Sequence, residues 1–268
     1  VFCDSHTHSV FSFDGHDTVA DLCRAAAAAG MRAFALTDHF DIDGILDGYY
    51  APYDATGARR ALEAAQIEYE GKLRIVRGIE LGQPWTRPQK ARDFLWEMRF
   101  DFVIGACHNL SGVPDFCFLD YSEMPDELIA GLYRRMLQEL MHCAAFPGVT
   151  TIAHLTYPLR YIVRCGRRLA IPPFEDDFRR LFAVMLDNGT ALELNTKGIR
   201  TGAVSPEVEL WILRLWRDCG GRDVTLGSDA HRASEMGAWI TEGGALIRRA
   251  GFRTVLFPGA HGAEYEKL

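Results

Sequence analysis

The sequence predicts an α/β fold built on a parallel sheet, and three observations carry that prediction. Short apolar runs alternate with helical patterns along the chain, the arrangement of βα units joined by right-handed crossovers. The runs are apolar at consecutive positions, as in Phe34-Ala35-Leu36 and Val103-Ile104-Gly105-Ala106, which suits strands covered on both faces. Nearly every run ends in His, Asp or Glu. Seven such units can close into a barrel or lie as an open sheet.

Phe2–His8 is the first strand candidate. Thr18–Ala29 follows as a helix, with Gly30 as its stop. Ala33–His39 is the second strand. The loop Phe40–Asp54 then holds Asp41, Asp43, Asp47, Tyr49, Tyr50 and Tyr53; it reads either as a cover offering acids to a cationic ligand or as a solvated loop. Asp54–Tyr69 is helical, Leu73–Glu80 a strand, Gln89–Met98 helical and Phe102–His108 a strand. The long pattern Asp126–Ala145 is helical, and Thr150–His154 is a strand. Phe174–Asp187, Thr190–Asn195, Pro206–Cys219 and Val224–His231 continue the alternation. Ser234–Ala250 is the last helical pattern, and Arg253–Phe257 (RTVLF) one more short strand. No repeat and no long Pro/Gly/Ser linker divides the chain, so one domain over residues 1–268 is expected.

Composition narrows the function classes. The chain has 268 residues, 48% hydrophobic and 24% charged, with 29 Lys+Arg against 36 Asp+Glu and a net charge of -7. That balance argues against general affinity for nucleic acid, which needs a basic face, but not against a small anionic substrate held by a few placed cations. No apolar run reaches the roughly 18–20 residues of a membrane span, and Val1-Phe2-Cys3-Asp4 does not read as a signal peptide. The seven scattered cysteines, Cys3, Cys23, Cys107, Cys117, Cys143, Cys165 and Cys219, form no CxxC pair and read as reduced thiols. A cytoplasmic protein is expected.

The residues that end the runs carry the chemistry. They are His6 and His8 in DSHTHS, Asp14 in FSFDG, Asp38-His39 in LTDHF, Glu80 in RGIELG, His108 in IGACH, His154 in TIAHL, Glu193 and Asn195 in LELNT, and Asp229 and His231 in LGSDAH. In a parallel barrel all strand C-termini meet at one face. Residues two apart on a strand point the same way, so His6/His8 and Asp229/His231 each present two ligands to one centre. Taken singly, each has a bland reading: Asp38-His39 a helix cap, Asp229-Ala230-His231 a turn, Glu80 a surface charge. Six of the nine histidines at strand ends make a shared metal site the better reading, and mixed His and carboxylate donors suit Zn, Mn or Fe. His16, His142 and His261 read as structural or exposed.

The ordered set DSHTHS…FDG, TDH, GIE, ACH, IAH and GSDAH resembles the polymerase and histidinol phosphatase (PHP) superfamily from Phe2 to about Gly259. The segment LELNTKGIRTG followed by GSDAH is similar to its monofunctional histidinol-phosphate phosphatases of the HisK/HisJ type. The resemblance implies a distorted (β/α)7 barrel with two to three divalent ions at its C-terminal face. It implies His6, His8, Asp14, His39, Glu80, His108, His154, Asp229 and His231 as ligands, with Glu80 bridging two ions. Some close phosphatase relatives have His where this chain has Asp14. Asp4 and Asp38 are expected to orient ligands.

Three such ions against Asp14, Glu80 and Asp229 leave roughly +3 at the site, or +2 with one bridging hydroxide, which suits a phosphate dianion. Hydroxide is available there because an ion lowers the pKa of bound water to roughly 7, and in-line attack on phosphorus is the expected reaction. Asp229, His231, Arg160 and Arg200 are expected to act on the phosphoryl group. Arg160 lies in the loop after His154 and Arg200 in the Gly-flanked loop KGIRTG. Both are candidate phosphate clamps, because a guanidinium binds two oxygens at once. Lys197 and Asn195 are further substrate contacts. The expected activity is hydrolysis of L-histidinol phosphate in histidine biosynthesis, and the expected partner is a small phosphate monoester, not nucleic acid or membrane. The alternatives are a PHP phosphoesterase for another phosphomonoester, nucleotide or nucleic acid end, and a non-catalytic metal-stabilised module.

Overall fold

The computed structural model describes residues 3–46, 48, 50–259 and 262–268; Val1, Phe2, Asp47, Tyr49 and His261, named above, lie outside them. The strands β1 (Cys3–Thr7), β2 (Ala33–Leu36), β4 (Arg74–Gly82), β5 (Phe102–Ala106), β6 (Thr151–Ile152), β7 (Ala191–Asn195) and β8 (Val224–Gly227) lie side by side in that order, all parallel, with the short β3 (His39–Asp41) against β4. The two ends of the sheet meet. Thr7 bridges Ala230, the His8 N–H donates to Ala230 O at 2.8 Å, and the Asp229 N–H donates to His6 O at 2.9 Å. The sheet is thus a nearly closed barrel of the distorted (β/α)7 form, with β1 and β8 brought together at its seam.

The helices form where cap residues and apolar spacing put them. In α1 (Val19–Ala28), Thr18 and Asp21 make a reciprocal capping box, and Val19, Leu22, Cys23 and Ala26 form one buried stripe. Gly30 then takes φ +71°, a conformation that stops the helix cheaply only for glycine. The Asp54 side chain caps α3 (Ala55–Glu68) by accepting from Gly57 N–H at 2.9 Å. Helices α4 (Pro88–Met98), α5 (Asp126–Ala144), α7 (Glu175–Asp187) and α9 (Pro206–Asp218) lie within one or two residues of the expected patterns.

Four features differ from expectation. The run Ala33–His39 is divided into β2 and β3, because Thr37 and Asp38 turn their side chains toward β1: Thr37 Oγ1 accepts from Thr7 N–H at 3.0 Å and Asp38 Oδ1 from Ser9 N–H at 2.6 Å. Part of the Phe40–Asp54 loop is ordered as the end of β3 and as α2 (Ile42–Leu46). The last helix, α10 (Ile240–Arg249), starts later than Ser234, since Gly237 and Trp239 have φ +69° and +63° and interrupt the helical path. Finally, Arg253–Phe257 belongs to a hairpin of β9 (Thr254–Gly259) with β10 (Gly262–Lys267).

That hairpin closes the N-terminal end of the barrel. Phe257 packs in one buried cluster with Cys3, Ala33, Ala35, Val76 and Phe102, which stand at or near the starts of their strands. Arg74 lies 5.1 Å over its ring and pairs with Glu264 at 2.8 Å, and Arg32 pairs with Glu266. The other end of the barrel, where the strands finish, is left for polar groups.

Candidate metal centre

The polar strand ends converge on one carboxylate. Glu80, within β4 and fully buried, faces imidazoles with both oxygens. His6 Nε2, His8 Nε2 and His39 Nδ1 lie 3.2, 3.5 and 3.0 Å from its Oε2, and His108 Nε2 and His154 Nε2 lie 3.2 and 2.8 Å from its Oε1. The rings come from the ends of β1, β5 and β6 and, for His39, from the start of β3. Asp229 and His231 reach the same place from the end of β8, and Asp14 from the turn after β1: His8 Nε2 is 3.5 Å from Asp229 Oδ1, and His231 Nε2 is 2.9 Å from Asp14 Oδ2. His8 stacks between His39 and His231, with centroids at 4.3 and 4.2 Å. All nine expected ligands are thus brought together.

The arrangement fits divalent ions. The donor atoms form four groups within 4.8 Å: His8, His39 and His231; His6, Glu80 and His154; His6, His8 and Asp229; and His39, Asp41 and His108. Buried atoms in this cluster lack hydrogen-bond partners, namely His8 Nε2, His39 Nδ1, Asp14 Oδ1 and Asp41 Oδ2. Buried polar atoms are rarely left unpaired, and a cation is the partner that imidazole nitrogen and carboxylate oxygen share. Asp229 has φ +55°, a left-handed conformation that costs energy but is tolerated best by Asn and Asp; its N–H bond to His6 O holds it there.

A surrounding set of groups fixes the imidazoles. Glu193 Oε1 sits 2.6 Å from His6 Nδ1, and Asp41 Oδ1 sits 2.6 Å from His108 Nδ1. Each pairing turns the ring so that Nε2 faces inward, as carboxylates do for metal-binding histidines. Ser12 Oγ lies 3.2 Å from His8 Nδ1 and donates to Asp38 at 2.9 Å. Asp4 accepts from His6 N–H at 3.2 Å and Ser228 N–H at 2.8 Å, binding β1 to the segment after β8. Asp4 and Asp38 therefore hold the ligand-bearing backbone, while Asp41 and Glu193 hold the rings. In the sequence Asp41 is one acid among several after His39; the structure sets it two residues beyond His39 on β3, beside the imidazoles.

Electrostatics follow from this crowding. Burial raises the Glu80 carboxyl, but His39, His6 and His108 outweigh it and hold it well below the usual range. Burial likewise opposes ionisation of Asp229, and Lys197 and Arg160 hold its carboxyl well below the usual value. His8 is pushed the other way: burial, then His231 and His39, keep it neutral, the form that binds a metal.

Two cations line the cleft over the cluster, together with Phe13, Asp115, Cys117, Tyr157 and Tyr161. Arg160, in the first turn of α6 (Leu159–Arg164) and not in a loop, places Nη1 2.8 Å from Asp229 Oδ2 and donates from Nη2 to Asn195 Oδ1 at 2.9 Å. Lys197 Nζ lies 3.1 Å from Asp229 Oδ1 and 2.9 Å from His231 Nδ1. Asn195 is buried as a bracket: its amide donates to Glu193 at 3.1 Å and Asp229 at 3.3 Å. Arg200 differs from expectation. KGIRTG is not a loop there, because Thr196–Arg200 forms α8, capped by Asn195. Arg200 Nη1 donates to Glu235 at 2.8 Å, Glu235 accepts from His231 N–H at 3.1 Å, and Arg200 is not among the residues lining the cleft.

The PHP domain family model matches residues 4–197, well over half of the sequence. The chain belongs to the PHP domain family. Asp229 and His231 lie beyond the matched segment, and the fold brings them to it. A protein described as a probable histidinol-phosphatase from Thermotoga maritima is 26% identical over 260 residues, spanning 96% of this chain and 95% of that one. The histidinol-phosphatase of Lactococcus lactis is 24% identical over 256 residues, spanning 93% of this chain and 91% of its own. Among solved structures, the L. lactis histidinol phosphate phosphatase, crystallised with zinc, L-histidinol and phosphate, superposes with a TM-score of 0.79 at 20% identity over 98% of both chains. A putative histidinol phosphatase from Listeria monocytogenes superposes at 0.74, with 17% identity, over 89% of this chain and 99% of its own. These superpositions show a shared fold. Among the described residues no helix is long and apolar enough to cross a membrane.

Proposed function

We propose that this PHP-family chain is a metal-dependent phosphatase that hydrolyses L-histidinol phosphate to L-histidinol and phosphate. One observation carries the reading: five imidazoles converge on the two oxygens of Glu80 while Arg160 and Lys197 enter the same cleft beside Asp229. The relatives described as histidinol-phosphatases support the choice of substrate. We assign two to three divalent ions of Zn, Mn or Fe, held by His6, His8, Asp14, His39, Glu80, His108, His154, Asp229 and His231. Asp41 adds one more donor beside His39 and His108. Seven free cysteines fit a cytoplasmic setting.

Bound ions supply Lewis acidity to the phosphoryl oxygens and an acidified water as nucleophile. The chain's own residues do the rest. Glu80 offers one oxygen to each side of the cluster and so sets the spacing of the centre. Glu193 and Asp41 keep His6 and His108 turned inward. The Arg160 guanidinium, anchored by Asp229 and Asn195, leaves Nε buried without a partner and stabilises charge on the phosphoryl oxygens. Lys197 adds a point charge from the opposite side of Asp229. Asp229 and His231, held by these cations and by the Arg200–Glu235 pair, keep their places at the reacting side. Arg200 acts at one remove, by fixing the segment behind His231.

The test is steady-state release of phosphate by metal-loaded protein from histidinol phosphate, several nucleotides and 4-nitrophenyl phosphate. Histidinol phosphate should have the highest kcat/KM. A nucleotide turned over more efficiently would replace the substrate while leaving the phosphatase reading in place.

A further inference from the structure

A buried acid on the cleft wall takes no part in the chemistry derived so far. Asp115 follows His108 after β5 and is 7% exposed, yet it lines the cleft. Its Oδ1 accepts from Cys117 N–H at 2.7 Å and from the Tyr157 hydroxyl at 2.9 Å, and its Oδ2 accepts from the Tyr50 hydroxyl at 2.6 Å. All three donors are neutral. No Lys, Arg or His among the described residues pairs with it within 4.0 Å. Buried carboxylates are ordinarily paired with a cation, so this one has a counter-charge to gain, and Oδ2 has capacity for another donor.

Its surroundings say which cation. Tyr157 spans from the cluster to Asp115: its ring lies 4.9 Å from His108 and 5.1 Å from His154, while its hydroxyl bonds Asp115. A single tyrosine side chain thus separates the metal-binding rings from the acid. Phe13, 44% exposed at the mouth, stacks on Tyr50 at 3.8 Å. The wall is aromatic, and aromatic faces favour ammonium groups and flat rings. We propose that Asp115 is the specificity-determining counter-ion for the ammonium group of the substrate, selecting phosphate monoesters of short cationic alcohols, with Phe13, Tyr157 and Tyr161 on the cleft wall against the organic part and Tyr50 backing Phe13. A capping role alone explains the Cys117 contact; it explains neither the two tyrosine hydroxyls nor the placement on the cleft. The proposal rests on the phosphatase reading, and it adds the group that tells one phosphomonoester from another.

The experiment compares histidinol phosphate with its N-acetyl derivative, which loses the ammonium charge while adding an acetyl group, with its deamino analogue, which loses the charge without added bulk, and with 4-nitrophenyl phosphate. Wild-type protein should prefer the free amine over the N-acetyl ester by about tenfold or more in kcat/KM, the range of a charge-assisted hydrogen bond. Asp115→Asn should shrink that ratio toward unity, mainly through KM for the free amine. A second measurement needs no variant: histidinol should inhibit 4-nitrophenyl phosphate turnover about tenfold more strongly than N-acetylhistidinol. Equal turnover of both esters by wild type, or an Asp115→Asn variant that lowers both equally, overturns the assignment while leaving the phosphatase reading intact. Failure of metal-loaded wild type to hydrolyse any phosphomonoester overturns both.

Discussion

Glu80 presents two oxygens to five imidazoles, more donors than one carboxylate can satisfy with good hydrogen bonds. Glu80→Gln removes the charge that holds the two halves together, and the variant should lose most metal and most activity in parallel. Near wild-type metal content and turnover would remove Glu80 from the centre. Arg160→Ala should lower kcat/KM about 10- to 150-fold, the loss of one charge-assisted contact, whereas Arg200→Ala should cost less because Arg200 reaches the site only through Glu235. A larger loss for Arg200 would return it to the phosphate. Glu209, on α9, gives a pH signature of its own. Burial raises its carboxyl to about 7, despite the Thr156 hydroxyl donating to it at 2.8 Å and the pull of Arg160. The folded chain keeps this proton to higher pH than the unfolded chain, where a glutamate titrates near about 4.3. The stability this neutral acid contributes is complete below that value and is lost as pH rises through about 7. Glu209→Gln should therefore stabilise the protein by about 2 kcal/mol more at pH 8 than at pH 5 in chemical unfolding; an equal effect at both would refute the raised value. At this scale the sequence was most informative for histidines, since six of the nine recur at the ends of apolar runs, a coincidence that no single strand-end imidazole carries. It was least informative for Asp41, Glu193 and Asp115, because a carboxylate in a loop or strand end looks the same whether it faces water or an imidazole.

Among elements, the βα alternation was readable because each long helix carries its own apolar stripe and strands such as β2 and β5 are apolar throughout. The short helices α6 and α8 have six and five residues, too few for a periodic pattern to register. That is why Arg160 and Arg200 read as loop cations. Strand β10 was not visible either, since Glu264, Tyr265 and Lys267 are exposed and show no core-facing pattern; only its partner β9 supplies a buried face. The hairpin makes a prediction that separates fold from chemistry. Phe257→Ala leaves a void among Cys3, Ala33, Ala35, Val76 and Phe102 at the end of the barrel away from the metal cluster. It should cost about 3–5 kcal/mol of stability while leaving metal content unchanged at temperatures where the protein stays folded. Metal loss without unfolding would mean that the two ends are coupled.

For the molecule as a whole, βα alternation alone left barrel and open sheet equally available, and the Thr7–Ala230 bridge with its neighbouring hydrogen bonds closes the barrel. Closure brings the ends of β1 and β8 together, so His6 and Asp229, far apart in sequence, share one centre. Ions held there would connect strands from both sides of that seam and should stabilise the closed form by mass action, about 2.7 kcal/mol at a hundredfold excess over Kd. Chelation should lower Tm by about 5–10 °C in a protein of this size, and an unchanged Tm would place the ions outside the fold's stability. A multinuclear metal centre at the converging cluster is tested most directly by elemental analysis of gently purified, folded protein. Two or three transition-metal ions per chain are expected; a folded chain that stays metal-free after incubation with Zn, Mn and Fe would contradict a metal centre there.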